Sequence, residues 1–322
     1  MSDAILRHYW HPVATSGELG DKPFGARLLD EQIVVFRIED RVVAFKDLCI
    51  HRGTPLSLGR VEDGNLVCAY HGWAYAPDGA CVRIPSLDPG QGIPRKARAT
   101  TYRVQERYGI VWVCLDEPHA SLPQLPELDD ASYHTFWLAG GVWETSAGRM
   151  IENFSDFTHF PWVHPGINGT PDDPRAPEYT VERRGNELHY AADLPLLPGG
   201  LAGDLGPVVA KYQWRIILPF TCQLTRDMWE GRRMVVTIIV SPISARRIRR
   251  FLYSSRNFAL DQSDEEFRKV GQIVADQDKV VVENQRPEEL PTDVAEEFHL
   301  KGPDAAGLAY RRMLADLGLK VA

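Results

Sequence analysis

Cys49-Ile50-His51 is followed, after sixteen residues, by Cys68-Ala69-Tyr70-His71. This pairing restricts the fold more than anything else in the chain. Two thiolates and two imidazoles can meet only if two loops are held side by side, and the flanking sequence offers a β framework to hold them. Residues 33–37 and 42–45 flank Glu39-Asp40 in a hairpin pattern. Residues 66–70 read as a strand, Pro77-Asp78-Gly79 as a turn, and 102–106 with 109–115 as a further strand pair. Residues 1–115 thus read as a small all-β domain.

The four donors suit either zinc or a [2Fe-2S] cluster with two imidazoles on one iron. Spacing separates the two. Structural zinc sites usually pair like ligands, whereas here each half pairs one Cys with one His, so each loop sends a thiolate to one iron and an imidazole to the other. Gly53 and Gly72, just behind the ligands, would let backbone N–H groups approach the sulfurs. Trp73 beside His71 would shield the cluster.

A second constellation, Asn153-x2-Asp156-x2-His159-x4-His164, lies further along. On a helix, Asn153, Asp156 and His159 share one face. His164 falls about 140° from His159 on an ideal helix, but Pro161 and Pro165 should bend or end the helix and bring it round. Two His and one carboxylate on a single face of an iron form the facial triad of oxygen-activating iron(II) enzymes. The carboxylate must come from elsewhere. A helix beginning near Ser263, with Ser263-x-x-Glu266 as a capping box, carries the apolar stripe Phe267, Val270, Val274, Val281. Asp278 falls on that stripe, where an ionised group is costly unless paired or bound to metal; a buried ion pair is the other reading. Asp276 lies opposite and reads as solvated. Asp156, one turn before His159, could accept that ring's free N–H, the plain alternative being a surface aspartate.

Composition bounds the partners. At 322 residues, with 44% hydrophobic and 25% charged residues, the chain has material for two ordinary globular domains. A net charge of −8 speaks against nucleic acid and against anionic membranes. The start, MSDAILRHYW, lacks the pattern of a signal peptide, and no apolar run has the length of a membrane span. Five cysteines give no disulfide framework. Cys81, Cys114 and Cys222 read as buried free thiols, which suits a reducing cytoplasm. The Pro- and acid-rich stretch 116–131 reads as a linker, and 132–322 as a mixed domain with strand-like runs at 179–190, 211–218, 233–241 and 248–258 and a last helix near 304–317. The Gly-rich stretch 197–206 reads as a mobile loop rather than a phosphate cradle. His8, His11, His119, His134, His189 and His299 stand alone and take no role. Arg215, Arg226 and Asn257 could anchor a polar substrate group, with surface ion pairs the default for the two arginines.

Cys49-Ile-His51-Arg-Gly-Thr-Pro-Leu and Cys68-Ala-Tyr-His71-Gly-Trp-Ala-Tyr resemble the two loops of a Rieske domain. The segments 152–165 and 277–287 resemble the iron motifs of Rieske non-haem iron oxygenases. The closer resemblance is to the branch with vanillate and dicamba O-demethylases and caffeine N-demethylases, and it runs from Tyr9-Trp10-His11-Pro12 to Pro287. It implies an α+β chain: an N-terminal all-β Rieske domain and a C-terminal helix-grip-like catalytic domain with a central antiparallel sheet. It further implies His159, His164 and Asp278 as ligands of a mononuclear Fe(II), Asp156 as the bridge from one subunit's cluster to the next subunit's iron, and Asn153 in a supporting role. The implied assembly is a head-to-tail homotrimer. The sequence has no flavin or nicotinamide fingerprint, so NAD(P)H would act only through a separate reductase or ferredoxin. The implied reaction uses O2 to mono-oxygenate a small aromatic or heterocyclic substrate, by hydroxylation or by O- or N-demethylation with release of formaldehyde. The substrate would sit in a cavity lined by the 170–260 sheet. Desaturation, cyclisation or dihydroxylation is the alternative within the class. A Rieske electron carrier is the non-enzymatic alternative, and such a protein would end near residue 115.

Overall fold

The computed structural model describes residues 4–196 and 208–322. It divides into two compact units, Met1–Leu122 and Pro123–Ala322. The Gly-rich stretch 197–206 lies outside the described residues.

The first unit is all β. It contains β1 (His11–Thr15), β2 (Phe24–Leu28), β3 (Glu31–Ile38), β4 (Arg41–Lys46), β5 (Arg60–Glu62), β6 (Asn65–Val67), β7 (Ala74–Tyr75), β8 (Cys81–Arg83), β9 (Thr101–Arg107) and β10 (Ile110–Cys114). One antiparallel sheet runs β1-β10-β9-β4-β3-β2, and a smaller one runs β5-β6-β7-β8. The hairpin read at Glu39-Asp40 forms between β3 and β4, with Ile38 opposite Arg41. The strand read at 66–70 is shorter. It stops at Val67 because the Cys68 N–H turns to the carbonyl of Trp73. Val34, Phe36, Phe45, Leu56, Leu66 and Tyr75 build the core that backs the cysteine loops.

The second unit contains β11 (His134–Trp143), α1 (Ala147–Ser155), α2 (Phe160–Val163), β12 (Glu182–Arg184), β13 (Glu187–Leu196), β14 (Val208–Ile217), β15 (Thr221–Asp227), β16 (Arg233–Ser244), β17 (Arg247–Arg256), α3 (Glu265–Val282) and α4 (Ala305–Asp316). One seven-stranded antiparallel sheet runs β11-β17-β16-β15-β14-β13-β12. The stretch 116–131 straddles the division between the units, and its second half is tied to the sheet. Leu125 is fully buried, the Gln124 carbonyl accepts from Arg215, and Glu127 accepts from Gln223.

The capping box at Ser263 does not form. Ser263 Oγ accepts from the Glu265 N–H at 3.2 Å, and α3 begins at Glu265. The fully buried Arg256 sets that start. Its guanidinium donates to the carbonyls of Phe258, Ala259 and Gln262 and to Asp264 Oδ1, so one cation gathers the whole turn before the helix. Val281 is 42% exposed and lies off the inward stripe of α3, which continues through Ala275 and Asp278 to Val282. No helix among the described residues is long and apolar enough to cross a membrane.

Candidate metal centres

The two cysteine loops are copies of one turn. Cys49 N–H donates to Thr54 O and Gly53 N–H to Cys49 O; Cys68 N–H donates to Trp73 O and Gly72 N–H to Cys68 O. Each loop thus closes with the same pair of hydrogen bonds, although the histidine sits two residues after one cysteine and three after the other. Both glycines adopt a left-handed backbone, φ +74° and +69°, which a side chain would strain. Their N–H groups serve the turn; the N–H groups directed at the Cys68 sulfur come from Tyr70 and His71. The thiols of Cys49 and Cys68 are buried and the rings of His51 and His71 are exposed, with ring centroids 4.6 Å apart. Trp73 stacks on His51 at 4.5 Å, and the Tyr75 hydroxyl lies 3.1 Å from Cys49 Sγ. Burial pushes the Cys68 thiol up, so the pocket favours a thiolate only when a metal holds it. A buried sulfur end and an exposed imidazole end fit a two-iron cluster with unlike irons.

In the second unit, the expected single helix through Asn153, Asp156 and His159 is broken. α1 ends at Ser155 because its last carbonyls find partners on the sheet: Trp214 Nε1 donates to Phe154 O at 3.2 Å and the Tyr190 hydroxyl to Ser155 O. Asp156 is extended, φ −89° and ψ 145°. Its carboxylate organises the next turn, accepting from Thr158 N–H (2.9 Å), Thr158 Oγ1 (2.7 Å) and His159 N–H (3.0 Å). The short α2 follows, with Pro161 in its first turn, where a missing N–H costs nothing. The change of direction therefore comes at Asp156, before the prolines.

Three side chains converge across this turn and α3. His164 Nε2 lies 3.1 Å and His159 Nε2 3.5 Å from Asp278 Oδ1, and the three donor atoms all fall within 4.8 Å of one another. Each ring is anchored by its other nitrogen. His159 Nδ1 donates to Asp156 Oδ2 at 2.8 Å, and His164 Nδ1 to Gln277 Oε1 at 2.8 Å. Both acceptors fix the tautomer that leaves Nε2 bare. His159 Nε2 is buried and has no hydrogen-bond partner, an orphan that a cation would satisfy. Asn153 Nδ2 donates to Asp278 Oδ1 at 3.4 Å. Burial alone would raise the Asp156 carboxyl, but hydrogen bonds from His159 and Thr158 outweigh it and hold it below the usual range. Two imidazoles and one carboxylate, all pre-turned, fit a divalent iron with open positions.

The centre lies at the wall of an apolar cavity between α1, α3 and the sheet, lined among others by Leu138, Met150, Leu224, Val236, Leu252 and Val274. Of the residues read as possible substrate anchors, only Arg226 lines it. Arg215 pairs with Glu187, and Asn257 holds Gly231 O and the Arg233 N–H. Asp276 is exposed and bonded to Gln272. Two residues had no role read from the sequence: Gln277, which lies in the 277–287 motif and orients His164, and Arg250, which lines the cavity at 4% exposure. Period-two alternation could have flagged Arg250, since it shares a strand face with Ile248 and Leu252.

Residues 9–105 match the Rieske [2Fe-2S] domain, and residues 143–319 match the vanillate O-demethylase oxygenase C-terminal domain. The chain is 32% identical to the methylxanthine N1-demethylase NdmA of Pseudomonas putida, over 97% of this chain and 89% of that protein. The structure of Pseudomonas putida CBB5 NdmA with caffeine superposes with a TM-score of 0.85 at 30% identity, covering 96% of this chain and 90% of that one. Dicamba monooxygenase bound to 3,6-dichlorosalicylic acid gives a TM-score of 0.84 at 25% identity, with 97% of both chains covered. With the all-β first unit and the antiparallel-sheet second unit already described, these likenesses show that the chain belongs to the Rieske terminal oxygenases.

Proposed function

We propose that this terminal oxygenase mono-oxygenates a small aromatic or heterocyclic molecule, most directly by removing an O- or N-methyl group. The observation that carries the reading is the bare Nε2 pair of His159 and His164 facing Asp278 at the wall of an apolar cavity. In this proposal His159, His164 and Asp278 hold Fe(II), and Cys49, His51, Cys68 and His71 hold the [2Fe-2S] cluster. With iron bound, the centre supplies activation of O2. The chain does the rest. Asp156 and Gln277 keep the two rings in one tautomer, Asn153 steadies the Asp278 carboxylate, and the apolar walls exclude water and orient the substrate.

Electrons come from a separate reductase or ferredoxin, drawing on NAD(P)H at one remove. The exposed edge of His51 and His71 suits transfer to a partner surface. Asp156 also lines a polar cleft with Tyr179 and Arg311, and Asn153 and His159 line both this cleft and the apolar cavity. That cleft supports a role for Asp156 as the bridge between one subunit's cluster and the next subunit's iron, in a homotrimer. None of the five cysteines, all buried, is in a disulfide, which suits a reducing cytoplasm.

A single-turnover assay tests the reading. The protein is reduced without air, given a panel of O-methyl, N-methyl and plain aromatic compounds, and then exposed to O2. Formaldehyde with loss of a methylene from the product is the expected result. Gain of one oxygen without formaldehyde would replace demethylation by hydroxylation.

A further inference from the structure

The second unit holds a file of aromatic side chains that the proposed chemistry does not use. It starts beside the histidines proposed to hold iron. The Phe160 ring lies 5.0 Å from the His159 ring, 6.0 Å from the His164 ring and 6.4 Å from the Tyr212 ring. Tyr212 leads to Trp214 at 5.9 Å, Trp214 stacks on Tyr190 at 5.1 Å with the planes 5° apart, and Tyr190 leads to Tyr179 at 5.4 Å. Phe157 adjoins both Trp214 and Tyr179, at 5.4 and 5.1 Å. The strand register aligns the middle of the file. Tyr190 of β13 pairs with Trp214 of β14, and Tyr212 lies two residues before Trp214, so all three share one face of the sheet. Phe160, Tyr190, Tyr212 and Trp214 are buried, whereas Tyr179 is half-buried and lines the polar cleft.

Packing asks for rings of this size and not for this order of side chains. An indole can give up one electron and keep its proton, whereas a phenol gives up an electron readily only where a base takes its proton. Tyr212 has no such base, because its hydroxyl is buried beside the Arg226 guanidinium, which carries no acceptor. Trp214, whose Nε1 donates to Phe154 O at 3.2 Å, is the first residue from the histidines that can release an electron. Tyr190 donates its hydroxyl to the Ser155 carbonyl, and burial holds its proton firmly. Tyr179 differs. Its hydroxyl donates to Pro303 O at 2.8 Å, accepts from Ala306 N–H at 3.1 Å and feels the carboxylates of Asp156 and Asp304. It also borders the cleft, where water can take its proton. Tyr179 is the place in the file where a missing electron can come to rest.

Resting on iron held by His159, His164 and Asp278, and on no particular substrate, we infer that this file is an escape route for oxidising equivalents, leading from the iron site to Tyr179. When O2 is consumed and no substrate C–H bond is at hand, an oxidant is left beside His159 and His164, the two rings it would destroy. One electron passes from Trp214 to the site. Trp214 is refilled from Tyr179 through the stacked Tyr190, and the Tyr179 hydroxyl loses its proton to water in the cleft. A one-electron donor such as ascorbate then returns an electron to Tyr179, and solvent returns the proton. Two such passages, with two protons taken up at the site, carry an oxidant at the level of one oxygen atom to water.

Freeze-quench electron paramagnetic resonance tests this on the reduced, iron-loaded protein mixed with O2 in the absence of substrate. The native protein should form a tyrosyl radical, recognised by the collapse of its hyperfine pattern when ring-deuterated tyrosine is incorporated. Tyr179→Phe should remove most of that signal and turn the damage inwards, seen by peptide mass spectrometry as oxygen added to Trp214. Trp214→Phe should abolish the radical, and oxidation of the peptide carrying His159 and His164 should rise severalfold per O2 consumed. Ascorbate should quench the radical and spare that peptide in the native protein, and should not spare it in Trp214→Phe. Iron-loaded native protein that consumes O2 without a tyrosyl radical would overturn the inference. So would an undiminished radical in Tyr179→Phe, or the same radical in protein stripped of mononuclear iron with its cluster intact. Should Trp214→Phe fail to fold, as judged by near-ultraviolet circular dichroism, the native protein and Tyr179→Phe still decide. Metal analysis of the same samples tells two failures apart: a site that takes no iron sinks the iron reading, whereas iron without a radical sinks the escape route alone.

Discussion

At the scale of single residues, Asp156 has four donors and two jobs. It caps the turn that delivers His159 and it holds the ring of the same histidine. Partners of this kind are worth roughly 10–100-fold in metal affinity. Asp156→Ala should therefore lower mononuclear iron affinity by about that factor while the cluster absorbance stays intact; metal analysis beside the visible spectrum reads both. Full iron occupancy at limiting metal would leave Asp156 with electron transfer alone. Gln277→Leu removes the acceptor for His164 and should cost iron affinity in the same range, again with the cluster unchanged. His159→Ala should abolish mononuclear iron altogether and spare the cluster's colour. Much of this site was legible in the sequence. The i+3 spacing suggested Asp156 as the partner of His159, and a carboxylate on an apolar stripe singled out Asp278. The role of Gln277 was not legible, because an amide in a polar run has no periodic signature and its partner lies 113 residues away.

At the scale of elements, α3 closes the cavity through a glycine. A Cβ on Gly271 would come within 2.7 Å of Leu138 Cγ and Cδ1 on β11. Helix propensity favours alanine over glycine by about 1 kcal/mol, but overpacking a close contact costs about 1–3 kcal/mol. Gly271→Ala should come out destabilising, lowering the melting temperature of the second unit by a few degrees, and Leu138 must shift towards the cavity. A raised melting temperature would show that the helix slides freely. Beneath α1, Arg149 and Arg311 interlock with Glu152 and Glu297, which ties α1 to α4. Both arginines are almost fully buried. Arg311→Met leaves two carboxylates with one cation, and loss of one partner from such a network costs roughly 3–5 kcal/mol; urea titration of the second unit's tryptophan fluorescence would measure it. The helices were legible as apolar stripes, and α4 falls close to its expected span. The break after Ser155 was not, because it depends on Trp214 and Tyr190, which reach α1 only through the sheet.

At the scale of the whole molecule, two units with separate cores need not unfold together, so stability is best followed unit by unit. In the first unit His11 is buried, and Nε2 donates to Leu6 O at 2.8 Å. Burial pushes its pKa down to about 4. The unfolded chain then binds a proton that the folded one refuses, so stability falls as pH drops from about 6.5 towards 4. Between pH 7 and pH 5 the native first unit should lose roughly 2 kcal/mol more than His11→Gln does, read from urea midpoints of the cluster absorbance. Parallel pH profiles for the two proteins would mean that His11 takes up its proton as readily in the folded state as in the unfolded chain.

The alternation along β15, β16 and β17 bears on descent. The residues proposed to hold the iron come from one turn and one position of α3, whereas the cavity face is spread over every second residue of three strands. With this cavity as the proposed substrate chamber, point changes at positions such as Arg226, Met234 or Leu252 would alter what is recognised without moving His159, His164 or Asp278. A lineage built this way can exchange one substrate for another in single steps while its chemistry stays fixed, and two chains with the same centre can part company in diet long before they part in fold.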